Sequence, residues 1–103
     1  SNTISYPPIT MDLAQHKVYY DDEELSLSNR EYELMHILIK KPNTPVTFEE
    51  IGNELFGSYV ETDRRTIMVT ASRLRKKLQE YDEMNELIET VWSKGYLFKT
   101  KKS

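Results

Sequence analysis

The sequence predicts a single α+β domain in which antiparallel strands come first, three helices follow, and a β-hairpin ends the chain. Three observations predict this order. Apolar and polar residues alternate with a period of two near the N-terminus, the middle of the chain has helical apolar spacing, and a glycine-containing turn separates two apolar runs near the C-terminus. At 103 residues the chain has the length of one domain and suffices for a modest hydrophobic core.

Residues 6–27 are predicted to form short antiparallel strands. Ile9, Met11 and Leu13 alternate with polar neighbours, and an acidic cluster at residues 21–24 marks a turn. We do not expect this cluster to bind a metal ion, because a calcium loop needs spaced ligands and a glycine for its sharp turn. No metal site and no cofactor are predicted.

Capping boxes open the first two predicted helices. In residues 28–31 and 47–50, a hydroxyl side chain precedes a glutamate by three positions, so each satisfies a free backbone amide of the helix start. Pro42 ends the first helix, and Gly57 ends the second. The segment 57–62 is predicted to be a loop.

The third helix is expected to begin at a cap formed by Thr62 or Asp63 and to reach about Tyr81, before a polar linker. At 100° per residue, one stripe of this helix is apolar and is predicted to enter the core. That stripe consists of Ile67, Ala71, Leu74 and Leu78. The opposite side holds Arg65, Thr66, Val69, Ser72, Arg73 and Lys76, while Arg75 lies nearer the core and is expected to brace the helix or a phosphate.

Charge is divided unevenly along the chain. Residues 1–63 hold 12 acidic and 4 basic residues, and residues 64–103 hold 5 acidic and 10 basic residues, although the whole chain has a net charge of −3. No acidic residue stands between Asp63 and Glu80. A solvated helix would mix both signs, whereas phosphates exclude carboxylates, so this helix is typical of nucleic-acid binding. The alternative is that Arg65 and Arg73 only solubilise the surface and that Val69 is an isolated exposed apolar residue.

Two apolar runs, residues 87–92 and 96–98, predict the terminal hairpin, with Gly95 expected to take a positive φ in the turn. Lys94 at the tip has no role in a core and is expected to contact phosphate. The two neighbouring aromatic residues either reach the nucleic acid or pack on the third helix. We favour packing for Tyr96, and both alternatives stay open for Trp92.

Three segments in this order resemble the OmpR/PhoB-type winged-helix effector domain of bacterial two-component response regulators. They are Leu27-Ser28-x-x-Glu31-Tyr32-x-Leu34, Arg65-Thr66-Ile67-x-Val69-x-x-x-Arg73-Leu74-Arg75-Lys76-Lys77-Leu78 and Ile88-Glu89-Thr90-Val91-Trp92-x-x-Gly95-Tyr96-x-Phe98. The resemblance runs from about Ile9 to Phe98. It implies a winged helix-turn-helix with a four-stranded N-terminal antiparallel sheet, a three-helix core and a C-terminal hairpin wing.

The resemblance also implies sequence-specific binding of double-stranded DNA for transcriptional regulation, with tandem copies on direct repeats. The third helix would enter the major groove, the wing would approach the minor groove, and the loop 57–62 would meet RNA polymerase. By position, the DNA-facing residues would be Arg65, Thr66, Val69, Thr70, Ser72, Arg73 and Arg75, with Lys94 and Tyr96 in the wing. The residue pattern adds Lys76 and Trp92. The chain departs from the family at four positions. Met68 stands where Asp is frequent, Thr70 where some members have His, Ala71 in place of a larger aliphatic residue, and Ser93 where Gly is usual.

Other classes of protein fit the sequence less well. We expect no enzyme, because cysteine and a glycine-rich phosphate loop are absent and the two histidines, His16 and His36, lie in separate predicted elements. A winged-helix module that binds mainly protein is the alternative, which the acidic first half would suit. No apolar run approaches the ~20 residues of a membrane span. The expected setting is cytoplasmic, with residues 1–103 as the effector domain and a receiver domain, absent from this chain, and a sensor kinase as its partners.

Overall fold

The computed structural model describes residues 2–81 and 87–100. Its first part is a four-stranded antiparallel sheet in the order β1-β2-β3-β4. The strands are Thr3–Tyr6 (β1), Ile9–Asp12 (β2), Lys17–Tyr20 (β3) and Glu23–Leu25 (β4). Period-two alternation therefore predicted β2, β3 and β4, which lie within residues 6–27, but β1 lies almost entirely before residue 6 and was missed. The polar linker expected after the third helix falls mainly on residues 82–86, outside the described residues.

Three helices and a second sheet follow. The helices are Asn29–Ile39 (α1), Phe48–Phe56 (α2) and Asp63–Gln79 (α3). The second sheet has the order β5-β7-β6 and consists of Val46–Thr47 (β5), Ile88–Val91 (β6) and Gly95–Phe98 (β7). The predicted α+β class and element order are confirmed, but β5 was missed because two residues cannot show a period.

The core lies between the first sheet, the helices and the hairpin. Strand register aligns Met11, Val18 and Leu25 across the inner face of the first sheet, where all three are buried. The predicted stripe of α3 is also buried, and Leu74 is fully inaccessible to solvent. Helix α3 packs on α1 and α2 through this stripe, which leaves its opposite side free.

Both capping boxes are present. The Ser28 hydroxyl accepts a hydrogen bond from the Glu31 amide at 3.2 Å, and the Glu31 carboxylate accepts from the Ser28 amide at 2.9 Å. Thr47 and Glu50 make the same exchange at 3.1 Å each way. Gly57 ends α2 with a φ of 86°, in the left-handed region that favours glycine.

The predicted cap of α3 is wrong. Thr62 already has helical dihedral angles and makes no capping hydrogen bond. Asp63 instead accepts from the Val60 amide at 2.9 Å, so its carboxylate closes the loop before the helix rather than the helix itself. At the other end, α3 stops at Gln79, and Tyr81 stacks on Tyr20 with 5.5 Å between ring centroids.

The turn of the hairpin also differs from the prediction. Ser93, and not Gly95, takes the positive φ, at 67°. A Cβ atom added at Gly95 would lie 2.0 Å from the Val46 carbonyl oxygen, because β5 pairs against β7 at this point. Glycine is therefore required at position 95 because the two backbones approach closely there. This requirement could not be predicted from the sequence, since β5 itself was not predicted.

Candidate nucleic-acid interface

The side of α3 that points away from the core forms a continuous exposed surface, which we call the outer face. Its residues are Arg65, Thr66, Val69, Ser72, Arg73 and Lys76, and all six are exposed. Val69 is 41% exposed in the middle of this cationic surface. The helical wheel therefore predicted correctly which side of α3 faces solvent.

The cations of the outer face have no ionic partners among the described residues. Within residues 2–81 and 87–100, the side chains of Arg65, Arg73 and Lys76 form no ion pair or hydrogen bond, and the same holds for Lys94 at the hairpin tip. All four basic residues of the acidic first part are paired, by contrast. Their ion pairs are Lys17–Glu24, Arg30–Glu33, Lys40–Glu54 and Lys41–Glu50. The unpaired cations of the outer face and the hairpin tip thus contrast with the ion-paired cations of the acidic first part.

Clefts border α3 on both sides. One cleft, of about 470 Å³, includes Ser28 and Arg30 of the α1 start together with Arg65 and Arg73. The other, of about 480 Å³, separates α3 from the hairpin and is lined by residues of both, among them Met68, Ser72, Thr90 and Trp92. The outer face is therefore bordered by the start of α1 on one side and by the hairpin on the other.

The hairpin tip lies beside this second cleft. Trp92 is 87% exposed, an unusual state for the largest apolar side chain, and Lys94 is exposed next to it. This exposure argues against the alternative that Trp92 packs on the third helix. Outer face and hairpin tip together present cations and apolar groups without any carboxylate of α3 between them.

Thr70 does not lie where the resemblance placed it. Its side chain is only 7% exposed, and its hydroxyl donates a hydrogen bond to the Thr66 carbonyl oxygen at 2.8 Å. The position lies between the outer face and the core stripe, and the hydroxyl is turned toward its own helix. A base-contacting role for Thr70 is therefore not supported.

Arg75 and Tyr96, also assigned to DNA by the resemblance, are structural. The Arg75 guanidinium donates from Nε and Nη2 to the Ile88 carbonyl oxygen at 3.0 and 2.8 Å, which braces α3 against β6 as its position near the core had suggested. Tyr96 is 5% exposed and meets the Phe48 ring edge to face. Burial raises the pKa of Tyr96. Tyr96 is therefore packed inside the domain, against Phe48 of α2 and within 5.8 Å of the Arg75 guanidinium of α3.

One ion pair that positions α3, between Lys77 and Glu31, was not predicted from the sequence. Lys77 Nζ lies 2.6 Å from Oε1 of Glu31, whose side chain is 6% exposed. Burial alone would raise the pKa of Glu31, but the hydrogen bond and charge of Lys77 and the Ser28 amide together lower it. Lys77 lies two turns beyond Thr70, on the side of α3 that faces α1. Helical spacing could therefore have placed Lys77 next to α1, although it could not have identified Glu31 as its partner.

No helix in the described part of the chain is long and apolar enough to cross a membrane. The family model described as "Transcriptional regulatory protein, C terminal" matches residues 22–98, which is most of the chain. The chain belongs to this family. It is also 34% identical over 101 residues to transcriptional regulatory protein SrrA of Staphylococcus aureus, a match that covers 97% of this chain and 42% of SrrA. The effector domain thus spans less than half the length of these relatives.

Solved structures of related domains have the same fold. The DNA-binding domain of RstA from Klebsiella pneumoniae, in complex with the RstA box, superposes with a TM-score of 0.85 at 29% identity and covers 96% of this chain and 98% of its own. The AdeR DNA-binding domain, in complex with an intercistronic region, gives a TM-score of 0.81 at 28% identity, over 94% of this chain and 98% of its own. The winged-helix fold and the OmpR/PhoB-type resemblance are confirmed. The family comprises transcriptional regulators and is not a class of enzymes.

Proposed function

We propose that this effector domain binds a specific sequence of double-stranded DNA as the output domain of a two-component response regulator. The observation on which the proposal rests is the concentration, on the outer face and at the hairpin tip, of cations that pair with no described residue. Unpaired Arg and Lys side chains bind DNA phosphates by releasing condensed counterions, and they need not first break internal ion pairs.

The geometry of the outer face suits the major groove. Arg65 and Arg73 are eight residues apart and therefore roughly 12 Å apart along the helix axis, similar to the groove width of about 12 Å. Arg73 has the planar fork that pairs with O6 and N7 of guanine, and Val69, between the two arginines, can contact a thymine methyl group. Ser72 is short enough to let the helix backbone approach the bases.

The hairpin tip supplies a second contact. Lys94 would bind phosphate, and Trp92 would lie against the adjacent minor groove or its sugars. A helix in one groove and a wing in the next give two points of attachment, which fix the register of the domain on the duplex.

The setting of the domain follows from the family. We infer a cytoplasmic protein in which a receiver domain, controlled by a sensor kinase, precedes or follows this chain, since the SrrA relatives are more than twice as long. Two copies would bind direct repeats. The loop 57–62 is suited to contact RNA polymerase: Val60 is 57% exposed, and hydrogen bonds from the Tyr59 amide to Asn53 and from the Val60 amide to Asp63 hold the loop in place.

Enrichment of bound fragments from a random-duplex pool tests this function. We expect one short motif to be selected, and to occur twice in the same orientation in the longest-retained fragments. Arg73→Ala should lose the selected motif, whereas Lys40→Ala, at an ion-paired cation on another surface, should select the same motif. If no motif is enriched, sequence-specific DNA binding is refuted, and the alternative of a winged-helix module that binds mainly protein is then favoured. Inverted copies would contradict only the direct-repeat arrangement.

A further inference from the structure

Four side chains form a continuous series of contacts that joins α3 to the start of α2 and to β7. The guanidinium carbon of Arg64 lies 4.5 Å from the ring centroid of Phe48, and that of Arg75 lies 5.8 Å from the ring centroid of Tyr96. The two rings meet edge to face, with centroids 5.7 Å apart and planes at 80°. Both cation-to-ring distances are within the range of attraction between a cation and an aromatic face. We call these four residues the cation–π clamp.

Both arginines of the clamp belong to α3. They are 11 residues apart, which is three helical turns, so they lie on nearly the same side of the helix and roughly 16 Å apart along its axis. The rings come from elsewhere: Phe48 is the first residue of α2, and Tyr96 lies in β7. Helix α3 is thus held at two separated points, and this fixes its tilt as well as its position.

The rings of the clamp are joined directly to the hairpin tip. The Phe48 amide donates a hydrogen bond to the Lys94 carbonyl oxygen at 2.8 Å. Tyr96 is the second residue after Lys94, and the intervening Gly95 packs against the Val46 carbonyl with no room for a side chain. Phe48 and Tyr96, the two residues whose rings the arginines cover, therefore also position the hairpin tip.

We propose that the cation–π clamp sets the distance and angle between α3 and the hairpin tip, so that Arg64 and Phe48 are positioning residues for DNA specificity. This inference rests on the proposed function, since it concerns how the two DNA contacts act together. Two linked contacts bind best when their relative placement is fixed before binding, because the ordering cost is then already met. If the clamp is weakened, the outer face should still bind DNA, but Lys94 at the hairpin tip should contribute less to the affinity.

A double-mutant cycle on DNA affinity tests the clamp. Phe48→Leu removes the ring without changing charge, and Lys94→Ala removes the tip cation. The fold-loss of affinity caused by Lys94→Ala should be at least about twofold smaller in the Phe48→Leu background than in the parent protein. An equal loss in both backgrounds, or no loss in the parent protein, overturns the proposal.

Two matched variants separate positioning from general damage. Lys76→Ala removes a cation of the outer face itself, so its fold-loss should be the same with and without Phe48→Leu. Phe48→Tyr keeps the ring that Arg64 covers and should restore the full effect of Lys94→Ala. If circular dichroism shows that Phe48→Leu does not fold, Arg64→Gln replaces it, because this variant removes the cation and leaves the buried ring in place.

A measurement without DNA distinguishes failure of the clamp from failure of the proposed function. If the parent protein selects no duplex, the function is refuted, and the clamp is then judged on the free domain. Hydrogen exchange at the Phe48 amide should be faster in Arg64→Gln than in the parent protein, and the NMR order parameter of the Lys94 amide should be lower. If neither the exchange rate of the Phe48 amide nor the order parameter of the Lys94 amide changes, the cation–π clamp does not hold the hairpin tip.

Discussion

At the scale of the residue, the arginines of α3 differ in what they touch. Arg65 and Arg73 are exposed and make no hydrogen bond or ion pair with any described residue, while Arg64 and Arg75 cover aromatic rings, and Arg75 also binds the Ile88 carbonyl. The sequence shows four similar side chains within 12 positions. These different contacts follow from the 100° step of the helix, which turns Arg65 and Arg73 toward solvent and turns Arg64 and Arg75 toward the rings of α2 and β7.

Arg73→Lys should keep much of the affinity for random duplex, because the charge remains. It should lose about 1–3 kcal/mol on the preferred site, since Lys cannot form the bidentate pair with guanine. Arg73→Ala should lose both affinities. Measuring both duplexes at one salt concentration decides the matter: an unchanged ratio of specific to random affinity in Arg73→Lys would mean that Arg73 touches only phosphate.

Glu31 should make the stability of the domain depend on pH. Its pKa in the folded protein lies below the ordinary value of 4.5, since Lys77 and the Ser28 amide outweigh the effect of burial. The carboxylate therefore contributes stability that is fully present above about pH 4.5 and is lost as pH falls through the folded pKa. Urea unfolding of the parent protein and of Glu31→Gln at several pH values should show a difference that shrinks toward low pH.

Lys77→Met provides the control for this pH dependence. The coupling energy between Glu31→Gln and Lys77→Met should be present at pH 7 and should disappear once Glu31 is protonated. A coupling that stays constant across this range would mean that the ion pair is not the source of the pH effect.

At the scale of the element, most of the fold was predictable because its signals are local. Period-two alternation, two capping boxes and one apolar helical stripe each lie within a few residues of the structure they specify. Apart from the cap of α3 and the first strand, what failed was non-local. The strand β5, the conformation of Gly95 and the Glu31–Lys77 pair each depend on segments distant in sequence, 46 residues apart in the case of the ion pair.

The site was predictable to the same extent. Helical spacing identified the outer face, but the resemblance placed Thr70 and Tyr96 toward DNA, and the structure buries both. The positions that failed lie on the flanks of their elements, where a small rotation decides between solvent and core. Burial there depends on the neighbours that α1, α2 and β5 supply.

Leu74→Ala tests the packing of α3 as an element. Leu74 is fully buried, so its truncation should lower the free energy of unfolding by roughly 2–5 kcal/mol. Met68→Ala, on the same helix but 49% exposed, is the matched control and should cost much less. Chemical denaturation measures both. Equal costs would mean that the assigned rotation of α3 about its axis is wrong.

The hairpin turn gives a second prediction at this scale. Gly95→Ala should destabilise the domain by about 1–3 kcal/mol, because the new Cβ atom would meet the Val46 carbonyl and push β5 away from β7. Ser93→Gly is the contrasting variant: it relieves a positive φ and should leave stability within about 1 kcal/mol of the parent or higher. Thermal melting compares them, and a stable Gly95→Ala would contradict the close approach.

At the scale of the whole molecule, the basic residues fall into two groups, those that form ion pairs and those that do not. The basic residues of the acidic first part are held in ion pairs, while the cations of the outer face and the hairpin tip pair with no residue in the described ranges. A net charge of −3 therefore coexists with one surface suited to a polyanion. The acidic remainder repels DNA from other orientations, which favours approach by the outer face.

The salt dependence of binding to a duplex tests this account most directly. The triple variant of Arg65, Lys76 and Lys94 to Ala should reduce the slope of log affinity against log salt by about 3, one for each phosphate that the protein no longer neutralises. The triple variant of Lys17, Lys40 and Lys41 to Ala changes net charge equally but removes only ion-paired cations, so its slope should match the parent protein. Equal slopes for the two triple variants would contradict the assignment of the outer face and hairpin tip as the DNA-binding surface.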